Sequence, residues 1–239
     1  EMCIRDSLCC MCGIVGYVGP AGAGTSSRPS EVVLGGLSRL EYRGYDSAGI
    51  ARCGETEIEL FKASGKIQNL RDKLEGHQSS KARAAIGHTR WATHGGPSDT
   101  NAHPHLGGKN GEVALVHNGI IENFAALKKE LADDGYEFLS DTDSEVVAHL
   151  LARECETAES LTAAMRACVA HLEGAFTLLA IHEDNPDVIV AARRNSPLVV
   201  GLGEGENFLG SDVAAFVDHT KRAVEIGQDP VSYTHLRAP

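Results

Sequence analysis

Apolar residues in this chain recur with a period of two near both ends and with a helical period in the middle, and that order restricts the folds open to it. Strand-like runs at 11–19, 47–53, 57–63 and 84–88 come early, one at 112–117 is central, and 175–182, 188–192, 198–202 and 207–210 come late. Val33, Leu34, Leu37 and Leu40 keep helical spacing behind a cap at Ser30, and a short helix is expected over 66–74. Phe124, Leu127 and Leu131 share a face behind a cap at Asn123. Two further helices carry Val146, Val147, Leu150 and Leu151, then Leu161, Ala164, Met165, Cys168 and Leu172. Strands gathered at the ends with helices between them predict an α+β layered architecture rather than an alternating parallel sheet.

No internal repeat, heptad run or low-complexity linker divides 11–229, so one domain is expected there. The 42% hydrophobic content of the whole chain is enough to bury a proper core. Residues 1–10 and 230–239 lack usable periodicity and are expected to lie outside the fold, as a non-native leader or propeptide and a non-native tail.

The formal net charge of -11, with acids and bases interspersed, argues against nucleic acids and anionic membranes as partners. No apolar run approaches the roughly 18 residues of a membrane span, and 1–10 have no apolar centre of the secretory kind. A cytoplasmic protein acting on small molecules is expected. Seven cysteines are an odd number without zinc-finger spacing, so neither a disulfide framework nor a structural zinc is indicated.

Among them Cys12 stands apart, directly after Met11 and at the start of an apolar strand. Within a strand a cysteine is ordinarily packing. If the chain began at Cys12, however, the residue would carry an α-amine of pKa about 7.7 to 8.0 beside its thiol, a nucleophile and a general base in one place. Asn118-Gly119 could offer an amide side chain and an unhindered backbone N–H to a developing oxyanion, although Asn-Gly is also the commonest turn dipeptide. Arg90 could grip a substrate carboxylate with two parallel bonds, and Asp143 could accept from an ammonium; the alternatives are a surface arginine and a helix-capping acid. His94, His103, His105 and His117 lack the spacing and companion ligands of a metal site, and loop-shaping hydrogen bonds are the expectation for them.

Six motifs occur in one order: Met-Cys-Gly-Ile-Val-Gly at 11–16, Leu-Glu-Tyr-Arg-Gly-Tyr-Asp-Ser-Ala-Gly at 40–49, and His-Thr-Arg-Trp-Ala-Thr-His-Gly at 88–95, followed by Asn-Ala-His-Pro-His at 101–105, His-Asn-Gly-Ile-Ile-Glu-Asn at 117–123 and Thr-Asp-Ser-Glu-Val at 142–146. Together they resemble the glutaminase domains of the glucosamine-6-phosphate synthase family, class II glutamine amidotransferases with an N-terminal nucleophile. The resemblance spans 11 to about 229. It implies a four-layer αββα sandwich of the N-terminal-nucleophile hydrolase type.

By that likeness Cys12 is the nucleophile, its own α-amine the base, and Asn118 with the Gly119 N–H the oxyanion hole. Arg90 and Asp143 would hold the α-carboxylate and α-amino groups of L-glutamine, Thr93 and His94 would line the pocket, Arg43 would orient the site, and Trp91 would cover it. Neither cofactor nor metal is implied. In the whole enzymes of the family, ammonia goes to fructose 6-phosphate on downstream isomerase domains, absent from this chain, and a homodimer is expected at full length. Asp141 stands where glutamate is more usual, and the loop over 22–29 is slightly longer. Amidophosphoribosyltransferases and asparagine synthetases share the mechanism but differ around the arginine and Asn-Gly motifs. Because Met11 precedes Cys12 in the chain as it stands, a folded but inactive glutamine-binding domain is the alternative.

Overall fold

A computed structural model of the protein describes residues 12–20, 28–54, 56–77, 82–91 and 95–227, together with the backbone of 231–235. Thr93, His94 and Met11 lie outside the described residues, as does the loop 21–27 that holds most of the expected lengthening.

Two antiparallel sheets face each other. The first centres on β1 (Gly13–Val18), which pairs with β4 (Ala84–Arg90) on one side and β10 (Asn207–Gly210) on the other. Beyond β4 lie β2 (Ser47–Cys53) and β3 (Ile58–Ser64), and beyond β10 lie β9 (Val199–Leu202) and β11 (Ala223–Glu225). The second sheet runs in the order β12-β8-β7-β6-β5, from β12 (Val231–His235) through β8 (Val188–Arg194), β7 (Gly174–His182) and β6 (Val113–Ile121) to β5 (His105–Gly107).

Alternation along the strands builds the layers. Ile14 and Val18 of β1, Ile86 of β4, Ala114 and Val116 of β6, and Leu179 and Ile181 of β7 meet in the core between the sheets. Val15 and Tyr17 point the other way, onto α1 (Arg28–Leu40) and α2 (Ile67–Leu74). On the far side Val113, Leu115, Leu178 and Ala180 pack against α3 (Phe124–Asp133), α4 (Ser144–Cys155) and α5 (Leu161–Ala170). Each fully buried Val, Leu or Ile contributes about 1.5 to 3 kcal/mol. The result is helix, sheet, sheet, helix.

Several local expectations shift. Ser30 is the third residue of α1 rather than its cap, and its hydroxyl accepts from the buried Arg52 guanidinium at 3.0 Å. Asn123 stands at the cap position of α3 without a capping bond; its amide instead donates to the His171 carbonyl and accepts the Glu173 N–H, tying α3 to the turn before β7. Part of the segment expected outside the fold, 231–235, pairs with β8 over Val188–Ala192 as an edge strand. Val, Tyr and Thr there favour extended backbone, and β8 otherwise presents an open edge.

Candidate active site

β1 carries Cys12 at its N-terminal end, and the pairing of Gly13 with Thr89 brings the end of β4 beside it. The Trp91 N–H donates to Cys12 Sγ at 3.1 Å, and Sγ lies 3.6 Å from the Trp91 carbonyl oxygen. Thr89 Oγ1 accepts the Gly13 N–H at 3.2 Å, while Ser211 Oγ, just past β10, accepts the Ile14 N–H at 3.1 Å. Both peptides that follow the cysteine are therefore fixed by hydroxyls from neighbouring strands. Burial pushes the Cys12 thiol up from its ordinary range, and the backbone bond to Trp91 opposes that shift.

The second sheet meets this strand end through Asn118. Its Nδ2 donates to the Cys12 carbonyl at 2.6 Å, and its Oδ1 lies 2.9 Å from His88 Nε2. The turn weighed as the alternative at Asn118-Gly119 does not form. β6 continues to Ile121, with Asn118 opposite Thr177 and Gly119 opposite Phe176. Gly119 has φ +125°, and a Cβ there would sit 2.0 Å from the Ala175 carbonyl oxygen, so only glycine fits. Position in a paired strand, not a loop, holds the Asn-Gly step rigid.

Arg90 ends β4 rather than lying in the loop beyond, and it is buried, not a surface arginine. Its guanidinium donates to the Gly95 carbonyl at 3.0 Å and the Gly96 carbonyl at 3.4 Å. Asp143 precedes α4 but makes no capping bond to that helix; Oδ2 accepts the Ile121 N–H at 2.9 Å, linking α4 to the end of β6. Arg43 pairs with Asp212 at 2.5 Å, and Asp212 also accepts from the Ala214 N–H, so Arg43 braces the turn next to Ser211. Trp91 is 41% exposed, its indole edge-on to Tyr45 with ring centroids 5.2 Å apart. Thus Cys12, Trp91 and Asn118 are in direct contact, with Gly119 and Arg90 adjacent to them in the chain. Asp143 joins through Ile121, and Arg43 through the turn at 211–212.

Beneath Asn118 lies a buried histidine layer. The rings of His88 and His103 stack with centroids 4.2 Å apart, and His105 meets His103 edge-on at 4.6 Å. The approach is possible because Gly49 of β2 has no side chain: a Cβ there would lie 2.2 Å from the His103 carbonyl oxygen. His105 Nε2 lies 3.1 Å from Thr142 Oγ1, and His117 Nδ1 lies 2.8 Å from Ser144 Oγ. His103 departs from the expected loop-shaping role, since neither of its ring nitrogens has a hydrogen-bond partner among the described residues. Burial lowers His88 to about 3 and holds His103 and His105 well below the ordinary histidine range.

Sequence reasoning missed His88, Thr89 and Ser211. The first two lie inside the motif at 88–95 and could have been found by pairing that strand with β1. Nothing near Ser211 in the sequence marks it.

Residues 88–218 match the glutamine amidotransferase domain family. The chain belongs to that family. Relatives of this amidotransferase domain include the glutamine–fructose-6-phosphate aminotransferase (isomerizing) of Streptomyces coelicolor, 61% identical over 221 residues. The enzyme of that name from Leifsonia xyli subsp. xyli is 60% identical over 222 residues. Each alignment covers 92% of this chain and 35% of the relative. The chain therefore spans about a third of the length of the curated relatives it matches.

Among solved structures, the amidotransferase domain is similar to the glutamine phosphoribosylpyrophosphate amidotransferase of B. subtilis complexed with ADP and GMP. That superposition has a TM-score of 0.73 at 25% identity, covering 93% of this chain and 49% of the other. A second structure, described as the allosteric regulatory enzyme of purine biosynthesis, gives 0.74 at 26%, covering 93% and 48%. The four-layer αββα sandwich of the N-terminal-nucleophile type is the fold of this domain.

Proposed function

We propose that this chain hydrolyses the side-chain amide of L-glutamine to glutamate and ammonia, with Cys12 as nucleophile. The observation that carries the reading is the 2.6 Å bond between Asn118 Nδ2 and the Cys12 carbonyl. It sets an amide donor from one sheet against the cysteine that begins the central strand of the other, in a member of the glutamine amidotransferase domain family.

In the active form the bond between Met11 and Cys12 is cut, and the α-amine so freed takes the thiol proton, through a water. That step is needed because burial favours the neutral thiol. The thiolate attacks the amide carbon; Asn118 Nδ2 and the Gly119 N–H receive the oxyanion. Collapse expels ammonia with the proton held on the amine and leaves a γ-glutamyl thioester. Water then cleaves the thioester, releasing glutamate and restoring the thiol.

Arg90 and Asp143 take the substrate's α-carboxylate and α-ammonium. A carboxylate meets the guanidinium with two parallel bonds and opposite full charge, where the Gly95 and Gly96 carbonyls offer only dipoles, so it can replace them on Arg90. Thr93 and His94 line the same pocket, Trp91 covers it, and Arg43 orients it through the turn at 211–212. By likeness to the relatives, a longer form of the protein delivers the ammonia to fructose 6-phosphate on isomerase domains and is a homodimer. The setting is the cytoplasm. Cys12, Cys53, Cys155 and Cys168 are free thiols, as a reducing compartment keeps them, and no described helix is long and apolar enough to cross a membrane.

Intact-mass measurement paired with a glutaminase assay tests the reading. Activity should follow the species that begins at Cys12, while the chain that keeps residues 1–11 binds glutamine without turning it over. Strong hydrolysis by a chain shown to retain those residues would sink it.

A further inference from the structure

We infer that His88, as the neutral tautomer protonated on Nε2, is a positioning residue that fixes which way the Asn118 amide faces. The inference rests on the glutaminase reading of the site.

Asn118 has two ends to place. Its Nδ2 lies 2.6 Å from the Cys12 carbonyl oxygen, which can only accept, so this end must carry the protons. A flipped amide would set two oxygens against each other at that distance. Oδ1 is consequently the atom 2.9 Å from His88 Nε2, and an oxygen there calls for an N–H opposite. The tautomer of one buried ring thus acts with the Cys12 carbonyl to keep the donor of the oxyanion hole pointed at the reacting centre.

The surroundings hold the ring in that state. His88 is fully buried within the inter-sheet space, its Nδ1 has no hydrogen-bond partner among the described residues, and the His103 ring packs over it at a 31° tilt. Burial is the main force keeping the imidazole neutral; the bond to the Asn118 side chain and the His117 backbone oppose it, and the charges of His117 and Arg90 add to it. A bare Nδ1 is the smaller loss in such a place, because an orphaned buried N–H is the rarer and costlier defect. In its neutral form His88 presents a single proton, and the geometry spends it on Asn118.

Two measurements on the full chain, before and after removal of residues 1–11, test this. Nitrogen NMR of the wild-type ring should show protonated Nε2 and bare Nδ1 across neutral pH; an Nδ1–H tautomer, bonded instead to a backbone carbonyl, overturns the inference. His88→Phe keeps a stacked ring but no donor. Its kcat, counted per site labelled by a glutamine-like electrophile, should fall about 10- to 100-fold with KM unchanged, part of the 10²–10³ that follows loss of an oxyanion donor. His88→Gln, which can donate an amide N–H to Oδ1, should recover most of that loss.

Full kcat per labelled site in His88→Phe overturns the inference, as does a loss that His88→Gln fails to recover. Should His88→Phe not fold, the wild-type tautomer decides. Absence of glutamine hydrolysis in the processed wild type would defeat the glutaminase reading, whereas the ring-nitrogen spectrum decides the hydrogen bond without any turnover.

Discussion

The Thr89 hydroxyl accepts the Gly13 N–H at 3.2 Å, fixing from a neighbouring strand the first peptide after Cys12, the proposed nucleophile. Thr89→Val keeps the shape and removes the acceptor. A buried N–H left without a partner costs about 1 to 3 kcal/mol, so the urea midpoint should fall accordingly. Glutamine hydrolysis should drop by about tenfold or more, because small misplacements of a reacting group are amplified in rate.

Cys12→Ala removes chemistry rather than architecture. The side chain stands at a strand end, outside the apolar clusters that build the layers. Hydrolysis should vanish, while chemical denaturation shows stability within about 1 kcal/mol of wild type. Full residual turnover would refute the assignment of the nucleophile.

Asn118→Ala deletes the proposed donor to the developing oxyanion. The expected loss is about 10²–10³ in kcat, with KM for glutamine little altered, measured on the form that begins at Cys12. A rise in KM at constant kcat would instead place Asn118 in substrate binding.

At Gly119 the backbone itself is at stake. Alanine would have to adopt φ +125° with its Cβ 2.0 Å from the Ala175 oxygen. The conformation alone costs of order 1 to 3 kcal/mol, and the clash forces β6 from β7 in addition. Gly119→Ala should lower the thermal midpoint sharply and abolish activity together, unlike Asn118→Ala.

Stability should decline as the solution is acidified below neutrality. His88 titrates at about 3 in the folded chain, and burial holds His103 and His105 well below 6.5, so between those limits the unfolded chain binds protons that the folded one does not. Stability then rises with pH, each such group contributing up to about 1.4 kcal/mol per pH unit. Urea titrations at pH 7, 6 and 5 should show midpoints falling in that order, and His103→Phe should flatten the slope by removing one of the three.

Much of this was legible in the sequence. The two periodicities gave the order of strands and helices, and the spacing of motifs placed Cys12, Arg90, Asn118 and Asp143 as candidates. What periodicity could not convey was partnership across sheets. Asn-Gly looks like a turn until β7 is seen pairing with both residues. His103 looks like a polar loop residue until it is found stacked, without hydrogen-bond partners, on His88. Asp143 looks like a cap until its carboxylate is found taking the Ile121 N–H rather than a backbone N–H of its own helix. Ser211, 197 residues from Ile14, could be linked to it only by folding the chain.

The cysteine and the amide that answers it arrive on opposite sheets, joined by one bond across the seam. A chain still emerging, or one whose two halves have not closed, owns the thiol but no cradle for the charge it would create. On the proposed mechanism, closing the two sheets is therefore a second requirement beside the freeing of Cys12, and a clipped chain that has not yet folded would release no ammonia.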